Sequence, residues 1–330
     1  MEKGSHRILH LCLDKRQIWQ FPHAKIFIFW QKDQAALLSC DTLNRIKRGF
    51  AGEEIVNFDA FWSRFSHRLD QLPILIKRHQ LLGSWDNGEA AILSLSKPAS
   101  DAEIEQVETE IGELLPAQLR QLFGEGAKSC HVRWNWPGQF HISEGGYCDR
   151  IDYVNRPDIE SFPGHGSLDW DLSNIPQIYA DWQEWLAYIA IDENPPENDE
   201  DDALFRLMQV DFAGRAFPFH NATNGDPIGI DRGPSGQMVL LNHESDGEIG
   251  WYLGHDLFGW LDALSAMAFL QPDVGQISLF SDGRLDQAYR SDQSLPDWYP
   301  EEGRPNAAIL DLQHPDAKAW MAAFWGDSQI

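Results

Sequence analysis

Four side chains close together in the sequence have types that could do chemistry. His220 and His243 flank a predicted hairpin, with Asp226 and Asp231 between them. Two imidazoles and two carboxylates could bind zinc, or a histidine could act as a base beside a carboxylate. The spacing adds nothing to either use, because no two of them stand at the helical i, i+4 interval of a metalloprotease. His165 and His255 sit in Gly-His-Gly and Gly-His-Asp turns, without a partner that the sequence identifies. No Gly-x-Ser-x-Gly elbow, Walker loop or dinucleotide fingerprint occurs. The economical reading is that the histidines are hydrogen-bonded or exposed. Gly225-Asp226 is then a turn, in which glycine supplies positive φ and Asp bonds its own backbone. The expectation is a non-enzymatic chain with no catalytic residue, metal or cofactor. A metal-dependent hydrolase built on His220, Asp226, Asp231 and His243 is the alternative.

Charge points to partners. The chain has 330 residues, 26 Lys+Arg and 51 Asp+Glu, for a net charge of −25. Residues 1–95 carry 13 Lys+Arg and 10 Asp+Glu, so nearly all of the acidity lies beyond them. Such a segment lacks the Lys and Arg needed to displace counterions from phosphates, which argues against nucleic acid as a partner. It suits a basic protein, whose approach a field of this size accelerates, and equally plain solubility. The densest stretch is Asp192–Asp202, with seven acidic residues and two prolines in eleven. It reads as a solvated loop, and it lacks the Asp-x-Asp-x-Asp-Gly spacing of a calcium loop. Asp199, Glu200, Asp201 and Asp202 are the candidate contact residues, with Trp134 and Trp136 as exposed aromatics nearby. The competing reading of that tryptophan pair is an ordinary packed strand face.

These residues need elements to position them. Ser100 with Glu103 forms a capping box, followed by Ile104, Val107 and Ile111 at helical spacing. Gly112 ends that helix, and Pro116 opens a second, with Leu119, Leu122 and Phe123 on its apolar face. Phe58, Phe61, Trp62, Phe65, Leu69 and Leu72 predict a helix that Pro73 ends. Ala90 to Leu95 predicts a short strand. His131–Trp136 and Gln139–Ser143 predict a hairpin across Pro137-Gly138, to which Cys148–Val154 adds a third strand. Ile175–Ile189 predicts a helix. Phe205–Phe212 predicts a strand that Arg215–His220 continues. Ile228–Asp231 and Met238–Glu244 predict a hairpin with both isoleucines on one face, and Asp256 caps a helix carrying Leu257, Phe258, Leu261, Leu264 and Met267. Beyond it lie predicted strands at Gln276–Phe280 and Ala308–Leu312, and a helix at Pro315–Trp325 burying Ala319, Trp320, Ala323 and Phe324.

The order of these signals resembles the SUKH superfamily, which holds Smi/Knr-type cell-wall regulators and bacterial toxin-immunity proteins. The resemblance rests on the acidic helix, Gly112, Leu115-Pro116 and the second helix. It continues through Gly225-Asp226-Pro227-Ile228-Gly229-Ile230-Asp231, Val239 to Glu244 and the closing helix. It spans about residues 96–270, with some 100 residues between its two halves. It implies an α+β fold with a mixed, largely antiparallel sheet and helices packed on it. It also implies a protein-binding role, in bacteria commonly the neutralisation of a toxin, often a nuclease. A regulatory scaffold in cell-wall synthesis or signalling is a further role it allows.

Three segments are expected: an N-terminal α/β subdomain over 1–95, the SUKH-like domain over 96–270, and an extension over 271–330 packed on the core. The apolar run Ile26–Trp30 predicts a buried strand in the first. No run of 18 apolar residues is present, and Met1–Cys12 lacks a signal-peptide core, so a cytoplasmic protein without a membrane segment is expected. Cys12, Cys40, Cys130 and Cys148 show no Cys-x-x-Cys spacing and fit reduced thiols.

Overall fold

The computed structural model describes residues 57–83, 90–135, 139–142, 148–152, 165–191, 200–222, 225–233, 236–241, 250–270, 280 and 306–326. The chain divides into two compact units, Met1–Glu53 and Glu54–Ile330. Everything described belongs to the second, and the strand expected at Ile26–Trp30 lies outside the described residues.

The fold is α+β, with mostly antiparallel sheets. Helix α1 (Phe58–His79) is capped by the Asn57 side chain and buries Phe58, Phe61, Phe65, Leu69, Leu72, Leu75 and His79 along one stripe. It runs through Pro73, where the sequence predicts an end. Burial of Leu75 and His79 beyond the proline compensates for the missing N–H, and Gln80 in the left-handed region closes the helix. Strand β1 (Ile92–Leu95) comes next, then α2 (Asp101–Ile111) with the expected capping box and Gly112 at φ 74°. Helix α3 (Ala117–Gln121) runs on into a π-helical turn over Leu122–Gly126 that buries Leu122 and Phe123. Buried Glu108 locks the corner between α2 and α3, accepting from the Leu115 N–H at 3.1 Å and from Arg120 at 2.6 Å. Residues 57–95 share one core with the rest of the unit, so the charge step near 95 is not a structural boundary.

Strand β2 (Ser129–Asn135) lies between β1 and β5 (His165–Asp171) in a three-stranded antiparallel sheet. The expected hairpin from β2 to Gln139–Ser143 does not form. Instead β3 (Gln139–Ile142) pairs with β4 (Cys148–Asp152) in a separate ribbon, because the more distant β1 and β5 take both edges of β2. Helix α4 (Ile175–Ile191) is as expected. Helix α5 (Glu200–Arg215) replaces both the end of the acidic loop and the predicted Phe205–Phe212 strand. Met208 and Phe212 are buried one helical turn apart, as are Gln209 and Ala213, so period 3.6 prevails over local β propensity. Strand β6 (Ala216–Asn221) is continuous with its end.

Strands β6, β7 (Pro227–Asp231), β8 (Gln237–Leu241) and β9 (Gly250–Asp256) form an antiparallel meander, and β10 (Asn306–Ala307) adds parallel to β9. The expected β7–β8 hairpin is present, with Ile228 and Ile230 in the main core. The opposite face meets α5, where Phe212 stands edge-on to Tyr252 at 5.2 Å. Asp256 accepts from the Gly259 N–H and starts α6 (Leu257–Ala266), whose apolar residues are buried as expected. Helix α7 (Pro315–Trp325) has the predicted bounds but buries Ala317, Trp320, Phe324 and Trp325, leaving Ala319 exposed.

Three indoles meet the carbonyl end of α6. Trp325 Nε1 donates to Ala266 O at 2.6 Å, Trp320 to Met267 O at 3.0 Å and Trp134 to Ala268 O at 2.8 Å. Ala268 and Phe269 then take positive φ, 59° and 63°, and Phe269 O accepts from Ser167. At the other side of this helix Arg64 and Arg68 clamp Asp262, and Arg68 also reaches Ser265. Gly166, opposite Trp134 across β2 and β5, leaves no room for a Cβ, which would overlap the Trp134 ring nitrogen. Trp320→Phe shrinks the buried ring and removes the indole donor to the Met267 carbonyl, which keeps only its 3.3 Å bond from the Leu270 N–H. It should cost about 1–3 kcal/mol, read as a lower urea midpoint with unchanged slope, and Gly166→Ala should cost more.

Candidate functional site

Among the described residues, those singled out by sequence do not assemble into one site. His220 lies opposite Ile228 near the turn end of the β6–β7 ladder, while Asp231 lies opposite Ala216 at the other end. Three residues of strand separate these positions, or about 10 Å. Asp226 is buried in the turn, and His243 lies outside the described residues. Among the described residues no group of three His, Cys, Asp or Glu side chains is placed to hold a metal ion.

The hairpin acid serves the framework instead. Asp231 accepts from Arg215 at 3.1 Å and from the Gly233 N–H at 2.8 Å. Arg215 also donates to the Tyr252 hydroxyl at 3.2 Å and lies 3.5 Å from Asp211. Burial opposes the Arg215 charge, yet Asp231, Tyr252 and Asp211 hold it firmly protonated. Burial raises the Asp211 carboxyl despite Arg215, Asp231 adding to the effect, and burial lifts Tyr252 to about 12. This cluster pins α5 to the sheet. Arg232 completes the pin, donating to the Gly214 and Arg215 carbonyls at the end of α5 and to both oxygens of Glu113.

The tryptophan and acidic candidates resolve unevenly. Trp134 is fully buried and donates its N–H to Ala268, so it is no exposed contact, and the packed-face reading holds for it. Trp136 and Asp199 lie outside the described residues. Glu200, Asp201 and Asp202 fall in the first turn of α5, the end of a helix that favours acidic residues. The helix α2 carboxylates divide. Glu103 pairs with Lys128, Glu108 with Arg120, and Glu113, just past the helix, with Arg232. The Lys128 ammonium, with the Ser100 N–H and hydroxyl, lowers the Glu103 carboxyl to about 2. Asp101, Glu105 and Glu110 remain exposed, as do Asp181 and Glu184 on α4, which packs beside α2.

One grouping was not legible in the sequence. On the outer face of the three-stranded sheet, Ser94 stands opposite His131, and His131 opposite Asp169. His131 Nδ1 lies 2.8 Å from Asp169 Oδ1. The three come from positions 94, 131 and 169, and no local motif announces them; only the register of β1, β2 and β5 does. Asp169 also ties the sheets together, since its main chain bonds the buried His220 ring.

Buried histidines set a pH dependence. Burial lowers both His165 and His220 to about 4, against 6.5 unperturbed. Between those values the unfolded chain binds more protons than the folded one, so stability falls as pH drops from about 6.5 toward 4. Each group adds a slope of up to about 1.4 kcal/mol per pH unit. Urea midpoints measured across this window should decline, and His220→Gln should flatten the decline.

No helix among the described residues is long and apolar enough to cross a membrane. No protein-family model, curated protein or solved structure gives a significant match to the chain.

Proposed function

We propose that the chain is a cytoplasmic protein-binding module of the SUKH type. Its role is to hold a basic protein, such as the catalytic domain of a bacterial nuclease toxin, by covering a cationic cleft with carboxylates. The observation that carries this reading is the division of charge on α2 and α4. Glu103, Glu108 and Glu113 are taken up by ion pairs of the fold, whereas Asp101, Glu105, Glu110, Asp181 and Glu184 stay exposed on two neighbouring helices. Complementary potential across an interface chiefly raises association rate and selects partners. The resemblance is supported by the order of elements: capped acidic helix, glycine break, second helix, hairpin β7–β8 and closing helix α6. The acidic run Asp199, Glu200, Asp201 and Asp202 leads into α5 and extends the surface offered to the partner.

The test is binding of the full chain to a basic nuclease domain encoded beside its gene. Association should slow by about tenfold or more between roughly 50 and 500 mM salt, as screening shortens the range of the field. Combined Glu105→Gln, Glu110→Gln and Glu184→Gln should slow association at low salt while leaving the thermal midpoint unchanged. Binding indifferent to both salt and these substitutions would sink the electrostatic reading.

A further inference from the structure

We propose that Ser94, His131 and Asp169 form a nucleophilic site able to take an acyl group from a small activated carboxylic ester. This reactivity is separate from partner binding and goes beyond it. Strand register places the three groups. In the β1–β2 ladder Ser94 faces His131, and in the β2–β5 ladder His131 faces Asp169, so one row across three strands carries hydroxyl, imidazole and carboxylate in that order. The order matters because a histidine base needs its orienting carboxylate on one nitrogen and the nucleophile near the other.

The bond on the carboxylate side is already made. Asp169 as a carboxylate can only accept, so its 2.8 Å contact assigns the proton to His131 Nδ1. In the neutral imidazole Nε2 is then the acceptor and can serve as base. Ser94 is exposed and its hydroxyl makes no hydrogen bond among the described residues, so nothing competes for it. Directly opposed residues on antiparallel strands hold their Cβ atoms about 5 Å apart. A donor for the developing oxyanion is also at hand. Ser96 donates its N–H to Ser129 O in β2, so by alternation the Leu95 N–H, next after the nucleophile, points to the outer edge of β1. Among the described residues β1 is the edge of its sheet.

In the reaction Ser94 Oγ bonds to the ester carbonyl carbon, and its proton passes to His131 Nε2. The tetrahedral oxyanion collapses, the ester C–O bond breaks, and the leaving alcohol takes the proton from His131. Water repeats the sequence on the acyl-serine, releasing the acid and restoring the hydroxyl. Asp169 is a positioning residue, acting through the tautomer and orientation of His131.

The test uses the full chain with p-nitrophenyl acetate and, separately, a fluorophosphonate probe, and locates adducts by peptide mass spectrometry. A single adduct on Ser94 is expected, formed about 100-fold or more slowly in His131→Gln, as removal of a general base requires. Asp169→Asn should also slow it and change the pH profile, because Asn favours the opposite imidazole tautomer. All three positions are on the open sheet face, and unchanged thermal midpoints will verify that the variants fold. Absence of a Ser94 adduct in the unaltered protein, or an adduct rate indifferent to His131→Gln, would overturn the proposal. Neither result bears on salt-dependent binding of a basic partner, so the two readings fail independently.

Discussion

A helix that ends inside a protein must find donors for its last carbonyls, and α6 ends among buried side chains. Trp134, Trp320 and Trp325, all buried, stand at that end. An unmet carbonyl in such a place costs as much as a lost hydrogen bond. Backbone N–H groups of Met267, Phe269 and Ala268 serve the Ala263, Leu264 and Ser265 carbonyls, and indoles, which supply apolar bulk and one N–H each, serve the next three. Because the three donors come from β2 and from two positions on α7, the three-stranded sheet, α6 and α7 are tied to one another at a single point. The left-handed turn at Ala268 and Phe269 answers the same constraint: the backbone must twist to present its carbonyls outward to all three.

Charge plays two roles that composition alone blurs. Part of the acidity is internal to the fold. Glu108 holds the α2–α3 corner, Asp262 joins α6 to α1, and Asp231 with Asp211 anchors α5 through Arg215. Each lies partly shielded from water, where a missing partner is costly. Asp101, Glu105, Glu110, Asp181 and Glu184 are exposed and add little to stability. These exposed carboxylates take no part in the ion pairs that hold the framework together.

Local signals were the ones the sequence carried plainly. The capping box at Ser100, the stop at Gly112, the Asp256 cap and the bounds of α7 depend on side chains a few residues apart, and all are found where expected. The misreadings share a cause in distant partners. Phe205–Phe212 looked like a strand because its apolar residues are dense, and only the sheet beneath it selects Met208 and Phe212 as one face. The β2–β3 hairpin failed because β1 and β5 compete for the same edges. Strand β9 went unread since Gly250 and Gly254 interrupt Trp251, Tyr252 and Leu253. The hairpin histidine set dissolved for a similar reason, with Asp231 claimed by an arginine on the preceding helix. The Ser94–His131–Asp169 row was invisible because it exists only through pairing.

The indole donated to Ala266 comes from a residue 59 positions further along the chain. During synthesis from the N-terminus, α6 is therefore complete well before its carbonyl end can be sealed. At about 5–20 residues per second the delay is about 3–12 s. Until Trp325 is made, the Ala266 carbonyl has no indole donor.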